Sequence, residues 1–256
     1  MSQSTPPPAL TMQGLSYSIG GVHIVEDVDL EVAPGEFIGV IGPNGAGKTT
    51  LFNLLSGLAT PTAGTVRMGT RTGTTDITHL PVFARARAGL GRTFQTSSVF
   101  PALSALENVR LAARADAGGS LRLWGRSAGE VAKARDCLEQ VGLSARAEHA
   151  AGSLSHGDKR KLEIAIVLAG TPRLLLLDEP MAGLGVEDVP ELVALVGRLH
   201  TEQGITVLMV EHHIEVIVGL ADRIAVMHHG RLISCAPPDE VMADATVQSA
   251  YLGDGL

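Results

Sequence analysis

The sequence predicts an α/β protein: a parallel sheet with crossover helices, joined to an antiparallel β region and interrupted by a helical insert. Three observations predict it. After Gly170, strand-sized apolar runs alternate with helical stretches: strand Arg173–Leu177, helix Val189–Gln203, strand Ile205–Val210, helix Ile214–Gly219 and strand Arg223–Met227. From Leu10 to about Val40, short β-branched segments are punctuated by Gly and Pro, the pattern of antiparallel strands. The middle, Phe94 to Ala165, is rich in Ala, Leu, Arg and Glu. A helix-rich block between two strand-rich blocks reads as an inserted subdomain.

In chain order, residues 1–8 are polar and proline-rich and are expected to form a disordered tail. Glu36–Ile41 (EFIGVI) reads as a buried strand, followed by a glycine-rich turn and a helix over Thr49–Gly57. Thr60–Thr78, rich in Thr and Gly, reads as strands and hairpins. Helices are expected near Ser104–Ala115 and Gly129–Val141, with Ala117–Ser127 as a loop between them. The expected organisation is a core of residues 9–93 and 166–256, with a helical subdomain at 94–165.

Hydrophobic residues make up 45% of the chain and charged residues 18%, enough apolar content for a sizeable core. Lys and Arg total 20 against 27 Asp and Glu, a net charge of −7. That balance disfavours a general nucleic-acid binder, because phosphodiester backbones repel it. The two cysteines, Cys137 and Cys235, form no C-x-x-C pair. A disulfide framework and a four-cysteine zinc site are thereby excluded, and a reduced compartment, the cytosol, is expected. The N-terminus lacks the features of a signal peptide. No apolar run approaches the roughly 18 residues of a membrane-spanning helix, so any membrane role is expected to run through a partner.

The strongest chemical signal is Gly42-Pro43-Asn44-Gly45-Ala46-Gly47-Lys48-Thr49, followed by Thr50. It fits G-x-x-x-x-G-K-[ST], with an apolar strand before it and a helix after it. Glycines let the backbone wrap phosphates without Cβ clashes, and N–H groups at a helix start supply positive potential. Lys48 is expected to reach the β- and γ-phosphates, and the Thr49 hydroxyl to ligate Mg²⁺. An ordinary strand-to-helix turn would not need the Lys and Thr. With no fixed-period repeat in the chain, one nucleotide-binding unit is expected.

Leu174–Leu177 form a buried strand that ends in Asp178-Glu179, at the carboxyl edge where open α/β sheets present ligand groups. Asp178 is expected to hold Mg²⁺, directly or through water. Glu179 is expected to polarise the attacking water as general base. Leu154-Ser155-His156-Gly157-Asp158 precedes a helical pattern from Lys159 to Ala169. Ser155 and Asp158 have the spacing of a capping box. The segment is thus either a well-capped helix alone or an anion site aimed at a γ-phosphate.

In this order, phosphate loop, LSHGD at 154–158, LLLLDEP at 174–180 and a strand ending in Glu211-His212, the chain resembles an ATP-binding cassette (ABC) ATPase over about residues 10 to 253. The resemblance implies a P-loop NTPase (RecA-like) core with an antiparallel β subdomain and an inserted α-helical subdomain, binding ATP and Mg²⁺. It implies a head-to-tail dimer in which Ser155 and Gly157 of one subunit close over the ATP of another. By position, Gln95 matches the glutamine that senses Mg²⁺ and the nucleophilic water, and His212 the histidine that contacts the γ-phosphate. His213 stands where the family usually has Asp, and Gly185 where it usually has Asp or Asn. The base-stacking aromatic falls at Ile19, and Tyr17 lies on the same strand face roughly 7 Å away, so either residue is the candidate base contact. His156 either packs against the subdomain or adds a pH-sensitive donor near the γ-phosphate.

Gly89–Val109, LSHG, DEPMAGLG, VEHHIEVI and the ending Ala250-Tyr251-Leu252-Gly253 resemble the ATP subunits of branched-chain amino-acid and urea importers. That implies two integral-membrane permease subunits, a second ATPase subunit (identical or a sister chain), an extracytoplasmic solute-binding protein acting indirectly, and a peripheral place on the cytoplasmic membrane face. Lipopolysaccharide-export ATPases share the YLG-type ending but usually carry a double glycine in the signature, unlike His156-Gly157. A soluble non-transport cassette protein, or a stand-alone P-loop kinase or GTPase in which LSHGD is incidental, are the rival classes.

Overall fold

The computed structural model describes residues 6–70, 73–94, 99–116 and 128–252. The chain forms two compact units. One comprises Met1–Leu90, Arg173–Glu179 and Leu199–Leu256, and the other Gly91–Pro172 and Pro180–Arg198.

The strands are β1 (Leu10–Ile19), β2 (Val22–Val32), β3 (Phe37–Ile41), β4 (Ala63–Thr70), β5 (Gly73–Asp76), β6 (Leu90–Arg92), β7 (Leu174–Asp178), β8 (Thr206–Val210), β9 (Arg223–His228) and β10 (Arg231–Ala236). The helices are α1 (Lys48–Ser56), α2 (Val82–Arg87), α3 (Ala105–Asp116), α4 (Ala128–Gln140), α5 (His156–Leu168), α6 (Val189–Thr201), α7 (Ile214–Leu220), α8 (Pro238–Ala243) and α9 (Ala245–Leu252). Helix α2, the short strand β6, strand β10 and the last two helices have no counterpart in the sequence expectations.

In the first unit, four strands pair antiparallel in the order β2-β1-β4-β5, and a second sheet holds β10-β9-β3-β8-β7 in that order. Every residue of β3, β7 and β8 is buried. This is why they read as unbroken apolar runs: a parallel strand covered on both faces has no solvent side to alternate with. β3 pairs parallel with both β8 and β9, and β7 pairs parallel with β8. In register, Val40 and Asp178 both lie opposite Val210, and Ile41 opposite Val226. The chain leaves β3, β7 and β8 at one edge, with Gly42, Glu179 and Glu211 as the residues that follow the three strands, where doubly wound sheets bind ligands. Between the sheets lies the core, in which Phe52, Leu54 and Leu55 of α1 join Leu10, Val25 and Leu176.

Helix α1 carries no basic residue in its last turn. Arg85 of α2 supplies the missing donor. It is 1% exposed, and its Nη1 donates to Leu54 O at 2.5 Å and Leu55 O at 2.7 Å. Its Nη2 donates to Thr78 O at 2.8 Å and Nε to Leu80 O at 2.9 Å. Burial pulls this guanidinium below the usual arginine range, and Asp76 opposes the effect.

In the second unit, Ser104 and Glu107 form a capping box at α3: Glu107 N–H donates to Ser104 Oγ at 3.1 Å, and Ser104 N–H to Glu107 Oε2 at 3.3 Å. Buried Asn108 ties the preceding turn to α3, accepting from Phe100 N–H and donating to the carbonyls of Phe100 and Ser104. Helix α5 starts at His156, three residues before the expected start. Ser155 caps it, accepting from Asp158 N–H at 3.1 Å. Asp158 does not complete the expected box. Its carboxylate lies 3.8 Å from Lys161 Nζ, because an Asp, one methylene shorter than Glu, is better placed for the cation one turn on. The expected loop 117–127 lies outside the described residues.

Arg85→Met should keep the volume and strip four carbonyls, three of them in buried bonds, of this donor. The expected loss is about 3 kcal/mol, read as an earlier first transition in urea unfolding. Arg85→Lys should restore only part of it, since an ammonium cannot span the same fork of carbonyls. A Met variant with an unchanged midpoint would remove Arg85 from the account of α1.

Candidate functional site

The loop between β3 and α1 is set by close packing. Gly42 has φ +152°, and a Cβ there would collide with the Met227 carbonyl oxygen; Gly47 has φ +98°, with Ile24 O 2.7 Å from its Cβ position. No other residue fits these places without moving β9 or β2. Gly47 is the left-handed N-cap of α1 and makes no side-chain cap, and the first turn carries no acidic residue. The first N–H groups of α1 therefore face outward for an anion.

Lys48 begins α1 and is 7% exposed. Its Nζ donates to Gly42 O at 2.5 Å and Pro43 O at 2.9 Å. Burial pulls the ammonium below the usual lysine range, while the Glu179 and Asp178 carboxylates oppose the shift. Asp178 itself is 3% exposed at the end of β7. Glu179 has a left-handed backbone, φ +48°, strained for a residue with a Cβ. Its N–H donates to Val210 O at 2.9 Å, which sends its side chain toward the loop. There Glu179 Oε1 lies 2.9 Å from His212 Nε2.

These groups meet at an open cleft of about 220 Å³ lined by Ile24, the loop from Asn44 to Thr50, Glu179 and His212. Of the residues singled out in the sequence, Asn44, Gly45, Ala46, Gly47, Lys48, Thr49, Thr50, Glu179 and His212 line it together. Gly42 and Pro43 sit behind Lys48, and Asp178 is buried at the same sheet edge. Tyr17 and Ile19 are not among its lining residues. Tyr17 pairs with Val25 and packs partly on the core, and Ile19 is 56% exposed. Ile24 lines the cleft instead; an isolated Ile on a strand carried no signal. Gln95 lies outside the described residues.

Ser155 and Gly157 belong to the second unit. Gly157 is buried, and a Cβ there would stand 2.8–2.9 Å from the Asp188 carboxylate. The chain's own Asp188 thus crowds the position. His156 is exposed at the first position of α5.

The oxygen donors here, the Thr49 hydroxyl and the Asp178 carboxylate, suit a hard cation that takes few protein ligands and completes its shell with water and phosphate oxygens, as Mg²⁺ does. The cleft therefore combines a rigid N–H cradle, a lysine, donors for such a cation and a carboxylate–imidazole pair. That set serves nucleoside triphosphate chemistry.

Comparison with known proteins agrees. Residues 25–182 match the ABC transporter family model, and residues 231–256 match the model described as branched-chain amino acid ATP-binding cassette transporter. The chain is 36% identical to the high-affinity branched-chain amino acid transport ATP-binding protein BraF of Pseudomonas aeruginosa, covering 96% of this chain and 98% of that one. It is 38% identical to the lipopolysaccharide export system ATP-binding protein LptB of Acidithiobacillus ferridurans, over 96% of this chain and 97% of that one. Among solved structures, the ADP conformation of MJ1267, an ATP-binding cassette of an ABC transporter, superposes with a TM-score of 0.84 at 28% identity, covering 96% of this chain and 99% of that one. The α/β architecture is thus the P-loop NTPase fold expected from the sequence, and the chain belongs to the ABC transporter family as one of its ATP-binding, ATP-hydrolysing subunits.

Proposed function

We propose that this ATPase powers the import of branched-chain amino acids or related small solutes, and that the cleft between Lys48, Glu179 and His212 is its hydrolytic site. The 2.9 Å contact between Glu179 Oε1 and His212 Nε2 at the rim of the phosphate loop carries the assignment of the site. The loop N–H groups and α1 hold the β- and γ-phosphates, and Lys48 exchanges its loop carbonyls for phosphate oxygens. Glu179 accepts a proton from the attacking water, and His212 holds that carboxylate in place and reaches the γ-phosphate. Thr49, Asp178 and Gln95 would hold Mg²⁺, which neutralises charge developing on the phosphate oxygens. Ile19 or Tyr17 would contact the base.

The second unit, carrying Ser155 and Gly157, acts in this reading as the signature subdomain that closes over the nucleotide of a second ATPase subunit, identical or a sister chain. Two membrane permeases would receive the stroke, with a solute-binding protein acting on them from the other side. No helix among the described residues is long and apolar enough to cross a membrane, which supports peripheral attachment. The match at 231–256 favours the amino-acid importer over the exporter that the likeness to LptB offers as second reading. Uptake of labelled leucine in cells lacking the chain should fall and return on complementation. Unchanged uptake with defective lipopolysaccharide export would favour the exporter.

Glu179→Gln should bind ATP and lose turnover by a factor of about 100 or more, and its ATP-bound dimer should accumulate in size-exclusion chromatography. Lys48→Ala should fail at the earlier step, losing ATP binding. Near-normal phosphate release from Glu179→Gln would sink the assignment of the base.

Ser155 is exposed at the start of α5. Ser155→Arg should therefore spare ATP binding by the monomer while abolishing ATP-driven dimerisation. A variant that dimerises normally with MgATP would take the signature out of the interface.

A further inference from the structure

The turn that follows β8 is organised by a residue the reaction scheme leaves unused. Glu211 is 3% exposed. A carboxylate so placed is expensive unless hydrogen bonds replace its water. One of its oxygens, Oε2, meets three groups of the turn. It accepts from the N–H of His212 at 3.0 Å and from the N–H of His213 at 3.5 Å, and lies 3.2 Å from His213 Nδ1. The backbone bonded to Glu211 is the backbone that carries His212, whose Nε2 is 2.9 Å from Glu179 Oε1. Glu179 is in turn tied to the residue before Glu211, through its N–H to Val210 O. Both ends of the Glu179–His212 pair are thus referred to the end of β8, Glu179 through Val210 and His212 through Glu211, the residue after it.

We infer that Glu211 is a positioning residue for hydrolysis, fixing the His212 backbone so that the imidazole meets the Glu179 carboxylate. The inference rests on the reading of the cleft given above. Its lever is the placement of one oxygen rather than the negative charge. His213 adds a side-chain partner to the same oxygen, so the turn is held from both its backbone and its exposed face. Glu211 is not among the residues that line the cleft, so loss of this oxygen should slow turnover and leave nucleotide binding alone.

Two substitutions separate placement from charge. Glu211→Asp keeps the charge and draws the oxygen back by about one carbon–carbon bond. It should lower kcat about tenfold or more while KM for MgATP stays within about twofold. Glu211→Gln keeps an acceptor oxygen at the original reach and should hold kcat within about threefold. In a His212→Ala background, Glu211→Asp should add no further loss, because the two residues act as one unit. Steady-state phosphate release by the full chain gives these numbers, with trinitrophenyl-ATP binding and circular dichroism reporting on the fold. Three results would overturn the inference: retained kcat in the Asp variant, a Gln variant as impaired as Asp, or a Glu211→Asp loss that persists undiminished without His212. If the Asp variant does not fold, Glu211→Ala takes its place: a loss of about tenfold or more there beside retention in the Gln variant supports placement, and equal turnover in the two refutes it. Glu179→Gln is run alongside. Full turnover there would refute the reading of the cleft, whereas its loss beside unaffected Glu211 variants would refute only the role of Glu211.

Discussion

The parallel register of β3, β7 and β8 is the constraint on which the rest of this protein depends. Val40, Val210 and Asp178 stand level across the three strands, so the segments leaving them emerge together although they are far apart in sequence. A one-residue slip of any strand would turn its end residue to the opposite face. Asp178 would then leave the loop, or Glu211 would leave its buried seat. The unbroken burial of all three strands holds the register. Each side chain has a filled place on one face or the other, and a shift would empty some places and overfill others.

From that edge the chain turns in conformations that ordinary residues avoid. Gly42 and Gly47 are forced by neighbouring carbonyls of Met227 and Ile24, so the loop is wedged between β9 and β2. An N–H cradle fixed in this way loses little further freedom when an anion arrives. Glu179 accepts the same kind of constraint with a side chain attached. Its left-handed backbone costs about 1–3 kcal/mol, offset by its hydrogen bond to Val210 O and its contact with His212. Strain stored there aims the carboxylate.

Charge is buried around α1 in a complementary way. Lys48 at its first residue faces two carboxylates, and the helix start is left without an acidic cap. At the other end the fork of Arg85 covers the carbonyls of Leu54 and Leu55. The positive end of the helix is thus kept for a ligand while the negative end is satisfied internally. Glu211 plays the corresponding part for the turn after β8.

The amino-acid sequence by itself determined the elements whose chemistry is local. Apolar runs specified β3, β7 and β8 because strands buried on both faces need nothing but apolar residues. The glycines, Lys48 and Thr49 specified the phosphate loop because each answers a requirement met within a few residues. The apolar run ending in Asp178-Glu179 placed two acidic groups at a strand end. Only the tertiary structure decided the order of strands, the Ile24 wall of the cleft and the crowding of Gly157 by Asp188. It also decided that Arg85, in a short helix with no sequence signal, caps carbonyls 31 and 30 residues away, and that Glu211 is buried beneath the turn it holds. These features have one physical cause. Each is a contact between segments that the fold brings together, and a side chain's partner across such a distance leaves no mark on the residues beside it.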